Sequence, residues 1–225
     1  MDEKMAKEEY HYQFMAEPVT SVAGQLLGVE MKTLLESKGL RTQHPELIIN
    51  MWDAQAKRKF LYEQLSTIAK QAAWIRQRGI FVSLPLYDEE SAVLLSYDNA
   101  LRAALSALPF VKLALSEKIC SVRDEMTGTS NAIWLDDLGK GSADVSGLVA
   151  CHYEAVKLET TFFNDEIVKP TFTILIKNLK KYCDRIVVQG LENRRYIPVL
   201  QEAGIWGVQG TFCRPVSFPK VHTLM

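Results

Sequence analysis

The chain has no excess of basic residues, no closely spaced cysteines, no long apolar run and no Pro- or Ser-rich linker. Each absence removes a class of protein. The 26 Lys and Arg residues nearly balance 27 Asp and Glu, so no bulk positive field exists to hold nucleic acid by counterion release, and direct DNA binding is disfavoured. The amino-terminal stretch MDEKMAKEEYHYQ is charged and lacks the apolar core of a signal peptide, and no later run approaches the length of a membrane span. A cytoplasmic protein is expected. Cys120, Cys151, Cys183 and Cys213 lie far apart without a CxxC pair, which fits reduced, mostly packed thiols better than a disulfide frame or a zinc site. His11, His44, His152 and His222 show no ligand spacing and are expected on the surface or at helix ends. The prolines and glycines are scattered and no solenoid-period repeat is present. With 48% of its 225 residues apolar, the chain can bury a full core, and residues 1–225 are read as one domain.

What is present alternates. HYQFMAEPVT and GQLLGVEMKTLLE flank a Ser-x-x-Gly turn and predict a β-hairpin. Pro45 opens a helical pattern in which Leu61, Leu65, Ile68 and Ala72 recur at helical spacing, until Gly79 stops it. The segments IFVSLPL, FVKLAL, AIWLD, EAVKL, DRIVVQG and IWGVQG read as strands. Between them, helices are predicted near Glu89 to Ala107, near Asp144 to Ala150, over KPTFTILIKNLKKYC and over NRRYIPVLQEAG, with a helix or loop after FVKLAL. Strands that are apolar throughout and alternate with helices indicate an α/β fold with a parallel sheet covered by helices. Closure into a barrel fits the count better than an open sheet.

The polar residues then fall into a pattern. Glu30 follows LLGV, Asp136 and Asp137 follow IWL, Gln189 follows RIVV, Gln209 follows IWGV, and Lys157 lies within EAVKL. Carboxyl ends of barrel strands share one face, where such folds place their chemistry. Either aspartate taken alone could equally cap the next turn; several polar residues converging on one face weigh against that reading for the set.

The ordered motifs LGVEMK, WLDDLGKG, AVKLE, VVQGLE and VQGTFCRP resemble, over nearly the whole chain, those of the EAL domain, the cyclic di-guanylate phosphodiesterase fold of bacterial signalling proteins. The family's signatures read roughly GVEALLR, LDDFGTG, IKID, AEGVE and QGYLFGRP. The resemblance implies a TIM-barrel-like fold, a modified (β/α)8 barrel with an N-terminal β-hairpin. It also implies a pocket in which two divalent cations activate a water. Glu30, Asp136, Asp137, Lys157, Glu192 and Gln209 match that pocket.

Other matching positions have lost their chemistry. VSLP stands for a motif resembling VNLS and puts Ser83 at a metal-binding asparagine. LALSE stands for LELTE and puts Ala114 at a metal-binding glutamate, and Gln189 replaces the first glutamate of AEGVE. Alanine has no donor atom, and glutamine offers a neutral carbonyl that cannot serve as a base. The arginine after EAL falls near Leu34, which cannot grip a phosphate bidentately. Lys140 replaces the threonine of GTG, and one residue is missing between Gln209 and the final RP. These departures imply a degenerate domain with no catalytic residues, metal or cofactor, whose aspartates form a metal-free acidic pocket neutralised by Lys157.

Within the family, the chain resembles the standalone EAL-like flagellar regulators of enteric bacteria, the anti-FlhDC factors. That resemblance implies regulation of flagellar gene expression and motility by binding the FlhD subunit of the master activator and blocking its action on DNA. The alternatives are a cyclic di-guanylate receptor, made less favourable by Leu34, and a weak metal-dependent phosphodiesterase, made less favourable by Ser83, Ala114 and Gln189. Trp52, Trp74, Tyr10 and Tyr12 are candidate interface anchors, with core or helix packing as the plainer role for the tryptophans. Lys180, Lys181, Arg185, Arg194 and Arg195 read as a solvated basic face, with an acidic partner surface as the alternative.

Overall fold

The structure, a computed structural model, describes residues 10–140 and 153–224. The helix expected near Asp144 to Ala150 lies outside those residues, as do Cys151, His152 and the side chain of Cys120. The hairpin is present as β1 (His11–Thr20) and β2 (Leu26–Ser37), paired antiparallel along their length. Six further strands follow in the expected places: β4 (Phe81–Leu86), β5 (Val111–Ser116), β6 (Ile133–Leu138), β7 (Ala155–Leu158), β8 (Ile186–Leu191) and β9 (Gly207–Gly210). Parallel pairing runs from β2 through β4 to β9. β1 then contacts both β9 and β2 in antiparallel fashion, and closes a mixed eight-stranded barrel. Two short strands not expected from the sequence, β3 (Leu40–Arg41) and β10 (Val216–Ser217), extend the sheet from β2 and β1.

The helical run from Pro45 to Gly79 is divided into α1 (Pro45–Asn50), α2 (Ala54–Ala69) and α3 (Ala72–Arg78). After the first break, α1 having ended at Asn50, Asp53 starts the next helix: its backbone is extended and its carboxylate accepts the Ala56 N–H at 2.8 Å as the cap of α2. Gly79 does stop α3, in the left-handed conformation with φ 64°. The expected helix from Glu89 to Ala107 is likewise two, α4 (Glu89–Tyr97) and α5 (Asn99–Ser106), because Asp98 takes an extended conformation and accepts the N–H groups of Ala100 and Leu101. A 3-10 segment, Glu117–Gly128, occupies the stretch left open as helix or loop. A helix not expected from the sequence, α6 (Thr160–Ile167), precedes α7 (Phe172–Leu179) and α8 (Ile197–Ala203).

Alternation along the strands sorts side chains to two faces. Val82, Leu84, Val111, Leu113 and Leu115 pack outward against Leu61, Leu65, Ile68, Leu95 and Leu101 of the helices. Val156, Leu158, Ile186 and Val188 do the same against Phe163, Phe172, Ile176 and Leu200. Each fully buried Leu, Ile or Phe contributes roughly 1.5–3 kcal/mol relative to exposure, so these two layers hold the helices on. The inward positions near the amino ends of the parallel strands form a separate apolar floor of Val19, Phe81, Trp134, Ala155 and Val187. The rings of Phe81 and Trp134 lie 4.6 Å apart. Gly28 is required beside them, since a Cβ there would stand 2.6 Å from the Phe81 ring.

Candidate functional site

Directly above that floor, the next inward positions are polar. Glu30 of β2, Asp136 of β6, Lys157 of β7, Gln189 of β8 and Gln209 of β9 meet across the barrel. Lys157, fully buried, donates to Glu30 Oε2 at 2.7 Å and lies 2.9 Å from Asp136 Oδ1. Gln209 donates to the same Glu30 oxygen at 2.8 Å, and Gln189 donates to Asp136 Oδ1 at 3.1 Å. Of the positions singled out in the sequence, Glu30, Asp136, Lys157, Gln189 and Gln209 are thus in one layer, and Gln189, expected only as a neutral replacement for a glutamate, is a donor to Asp136.

It missed one member. Lys32, the third residue of EMK, lies two positions beyond Glu30 and hence on the same face of β2. Its ammonium sits 2.8 Å from Glu30 Oε1 and 3.8 Å from Glu17 Oε2 of β1. Glu17 pairs with Glu30 in the hairpin register. The alternation of β2 was the signal that could have found Lys32.

The two adjacent aspartates have different fates. Asp136 is buried and faces the layer. Asp137 sits in the left-handed region at φ 57°, where a bulge interrupts the pairing of β6 with β7. A non-glycine residue there costs about 1–2 kcal/mol. The turn offsets this cost with three local bonds: Asp137 N–H to Asp136 Oδ1, Lys140 N–H to the Asp137 carbonyl, and the Lys140 ammonium to Asp137 Oδ2 at 2.9 Å. Lys140 therefore holds the second aspartate in the turn.

The remaining site residues are placed as follows. Ser83 is fully buried on β4, opposite Glu30 in register, and its hydroxyl finds no hydrogen-bond partner among the described residues. Ala114 is packed in the apolar floor, opposite Trp134. Leu34 is on the same face of β2 as Glu30 and Lys32, half-buried. Glu192 is exposed and does not join the buried layer; it lines the cavity above it with Lys32, Gln189, Gln209 and Arg214. That cavity measures about 460 Å³.

The charges in this layer are strongly perturbed. Burial alone would raise the Glu30 carboxyl, but the ammoniums of Lys157 and Lys32 outweigh it and hold Glu30 well below the usual carboxylate range. Burial lowers both lysines, and the facing carboxylates more than reverse this, so both ammoniums are held above the ordinary lysine value. Asp136 is raised: burial, together with the charges of Glu30 and Asp137, exceeds the pull of Lys157 and Lys32. Glu17 is raised as well, chiefly by burial.

Two divalent cations would need a dense set of available oxygen donors. Here both oxygens of Glu30 and one of Asp136 already accept from ammonium or amide groups, Ala114 supplies no donor, and Ser83 supplies only a hydroxyl. Among the described residues, no three His, Cys, Asp or Glu side chains gather as a metal site. The donor set does not fit a pair of cations.

The candidate anchors and basic residues have ordinary partners. Tyr12 is half-buried, not exposed; it hydrogen-bonds Glu63, and its ring meets those of Phe14 and Trp52 at a tilt and that of Phe60 edge-on. Tyr10 is also half-buried, and Trp74 packs partly against the helix core. Lys180 donates to the Gly204 carbonyl and Arg185 pairs with Glu154, while Arg194 and Arg195 lie over the rings of Phe212 and Tyr196. Lys181 is exposed. Cys183 and Cys213 are free thiols, the first buried. His11, His44 and His222 are exposed. Among the described residues, no helix is long and apolar enough to cross a membrane.

A family model described as EAL domain matches residues 4–215. The cyclic di-GMP phosphodiesterase PdeH of Escherichia coli (strain K12) is 22% identical over 217 residues, covering 92% of this chain and 85% of PdeH. Among solved structures, the EAL-like domain protein YdiV superposes with a TM-score of 0.82 at 18% identity, covering 97% of each chain. A manganese and cyclic di-GMP complex of Klebsiella pneumoniae BlrP1 gives 0.69 at 16% identity, covering 96% of this chain and 58% of that one. At these identities the structural likeness is one of fold.

Proposed function

The chain belongs to the EAL domain family, and from that premise we propose that it is a degenerate, catalytically silent member. In this reading it regulates flagellar gene expression and motility by binding the FlhD subunit of the flagellar master activator and blocking its action on DNA. The observation that carries the silent half is the inner layer. Lys157 and Lys32 neutralise Glu30 within 2.8 Å, Lys157 also engages Asp136, and Ala114 stands among apolar side chains. A water cannot be activated without a cation or a base, and Gln189 is neither. Hydrolysis of cyclic di-GMP, which is in the name of the PdeH relative, is therefore not carried over.

The regulatory half is supported by the resemblance of the motifs to those of the short EAL-like flagellar regulators. The likeness to the EAL-like domain protein YdiV, over 97% of both chains, adds the fold that such a regulator would use. A closed barrel stays rigid after its pocket decays, because its stability resides in the two helix-covered layers, so its outer surface can serve a partner independently of the pocket. The nearly balanced charge gives no affinity for DNA itself, so the effect on DNA must pass through the activator. A gel-shift titration tests this. Adding the protein to a preformed activator and promoter fragment should lower the DNA-bound fraction, and overproduction should suppress motility without a change in cellular cyclic di-guanylate. Motility that falls only together with the dinucleotide would count against the reading.

One feature favours a second reading, a receptor for cyclic di-guanylate: the cavity above the layer has Lys32 and Arg214 in its lining. Leu34 on the same face offers nothing to a phosphate. Sub-micromolar binding of the dinucleotide without added metal would favour the receptor.

A further inference from the structure

We propose that Lys32 is a tethered counter-ion that closes the Glu30 and Asp136 layer to divalent cations. The geometry comes from strand alternation. Lys32 is two residues from Glu30 on one face of β2, and its Nζ reaches Oε1 of Glu30 at 2.8 Å while Lys157 takes Oε2 from the opposite side of the barrel at 2.7 Å. Oε1 is therefore the Glu30 oxygen on which Lys32 alone acts among the described residues. The Lys32 side chain is 43% exposed, whereas Glu30 and Lys157 are essentially buried, and Lys32 lines the cavity of about 460 Å³ together with Glu17, Gln189 and Gln209. The ammonium thus stands between the cavity and a buried carboxylate oxygen.

Charge explains why its presence matters. With Lys32 in place, Glu17, Glu30 and Asp136 face two ammoniums; without it they face one, and the carboxyl groups at the floor of the cavity lose a counter-charge. A hard divalent cation needs only one or two carboxylates when waters complete its shell. A neutral side chain at position 32 would leave such a site open. The inference rests on the reading of a metal-free, catalytically silent layer, but it can fail separately from it.

The test is a titration of MnCl₂, followed by calorimetry and by the electron paramagnetic resonance of free Mn²⁺, on wild type, Lys32→Met, Lys32→Arg and Lys32→Met combined with Glu30→Gln. Lys32→Met should bind Mn²⁺ about tenfold or more tightly than wild type, as expected from removing a unit charge a few ångströms away. Lys32→Arg should stay as silent as wild type, and the double variant should lose the gained site. Lys32→Gln carries the same comparison if Lys32→Met does not fold. Equal Mn²⁺ binding by wild type and the neutral variants would overturn the role of Lys32. So would binding to wild type that Glu30→Gln abolishes. Mn²⁺-dependent turnover of cyclic di-guanylate by wild type would instead overturn the silent-site reading beneath it.

Discussion

Replacing Lys157 by Met keeps the length of the side chain and removes the charge that joins β7 to β2 and β6. Lys157 is 0% exposed and lies 2.7 Å from Glu30 and 2.9 Å from Asp136, so the variant leaves a buried carboxylate without its cation. Removing one partner of a buried pair costs about 3–5 kcal/mol, and for a chain of this size roughly 2–4 °C of Tm accompanies each kcal/mol. Thermal unfolding at pH 7.5 should therefore show a loss of roughly 6–20 °C. The effect should depend on pH with a definite sign. Glu30 keeps Lys32, but Asp136 is already raised by burial and loses its main counter-charge. A carboxyl whose folded pKa lies above its unfolded value destabilises the fold once ionised, and that penalty fades as pH falls through the folded pKa. The gap between wild type and variant should thus narrow from pH 8 to pH 5. Adding Asp136→Asn to Lys157→Met should restore part of the loss, since the uncompensated charge is gone. A loss of under about 1 kcal/mol, or a gap that widens on acidification, would refute the reasoning that Lys157 neutralises this layer.

Purified protein with Mg²⁺ or Mn²⁺ should not linearise cyclic di-guanylate over a range where an active domain turns over many times. Turnover abolished by Glu30→Ala would mean that the ligand positions are misassigned. In wild type, Lys157 is held above its unfolded value, so its contribution is full below about pH 10 and is lost only as pH rises through the folded pKa. Alkaline unfolding midpoints should therefore drop less for Lys157→Met than for wild type. Asp53→Ala removes the cap of α2 and should cost about 1 kcal/mol by denaturant melt without altering partner binding. Gly28→Leu must displace the Phe81 ring and should lower yield and Tm far more than Gly24→Ala, whose Cβ would meet nothing within 4 Å and whose cost is confined to its positive φ of 89°, about 1–2 kcal/mol.

The barrel was legible in the sequence because its strands are apolar on both faces and because the polar exceptions recur at strand ends. Glu30, Asp136, Lys157, Gln189 and Gln209 do meet, and Lys157 lies against both Glu30 and Asp136. Lys32 escaped notice because motif resemblance directs attention to the first letter of EMK, whereas the chemistry also depends on strand alternation, which places the third letter beside the first. The divided helices escape the sequence for a related reason: hydrophobic spacing continues across Asp53 and Asp98, whose capping role alone marks those two breaks, and across Lys70–Gln71, where α3 begins without a side-chain cap. The short helix Thr160–Ile167 went unseen because its cap is Glu159, accepting from Phe162, and not one of the usual small capping residues. Glu192 matched a motif yet points to the cavity rim, since burial at a strand end is decided by the turn that follows it.

The most direct measurement is a calorimetric titration of purified FlhD with the wild-type protein and with Asp136→Asn, each shown to be folded by its thermal transition. Saturable binding at micromolar concentration or below is expected, nearly unchanged by Asp136→Asn because that residue is buried in the layer. No association at micromolar concentrations, or binding that requires cyclic di-guanylate and is lost with Asp136, would contradict a silent barrel acting through a protein partner.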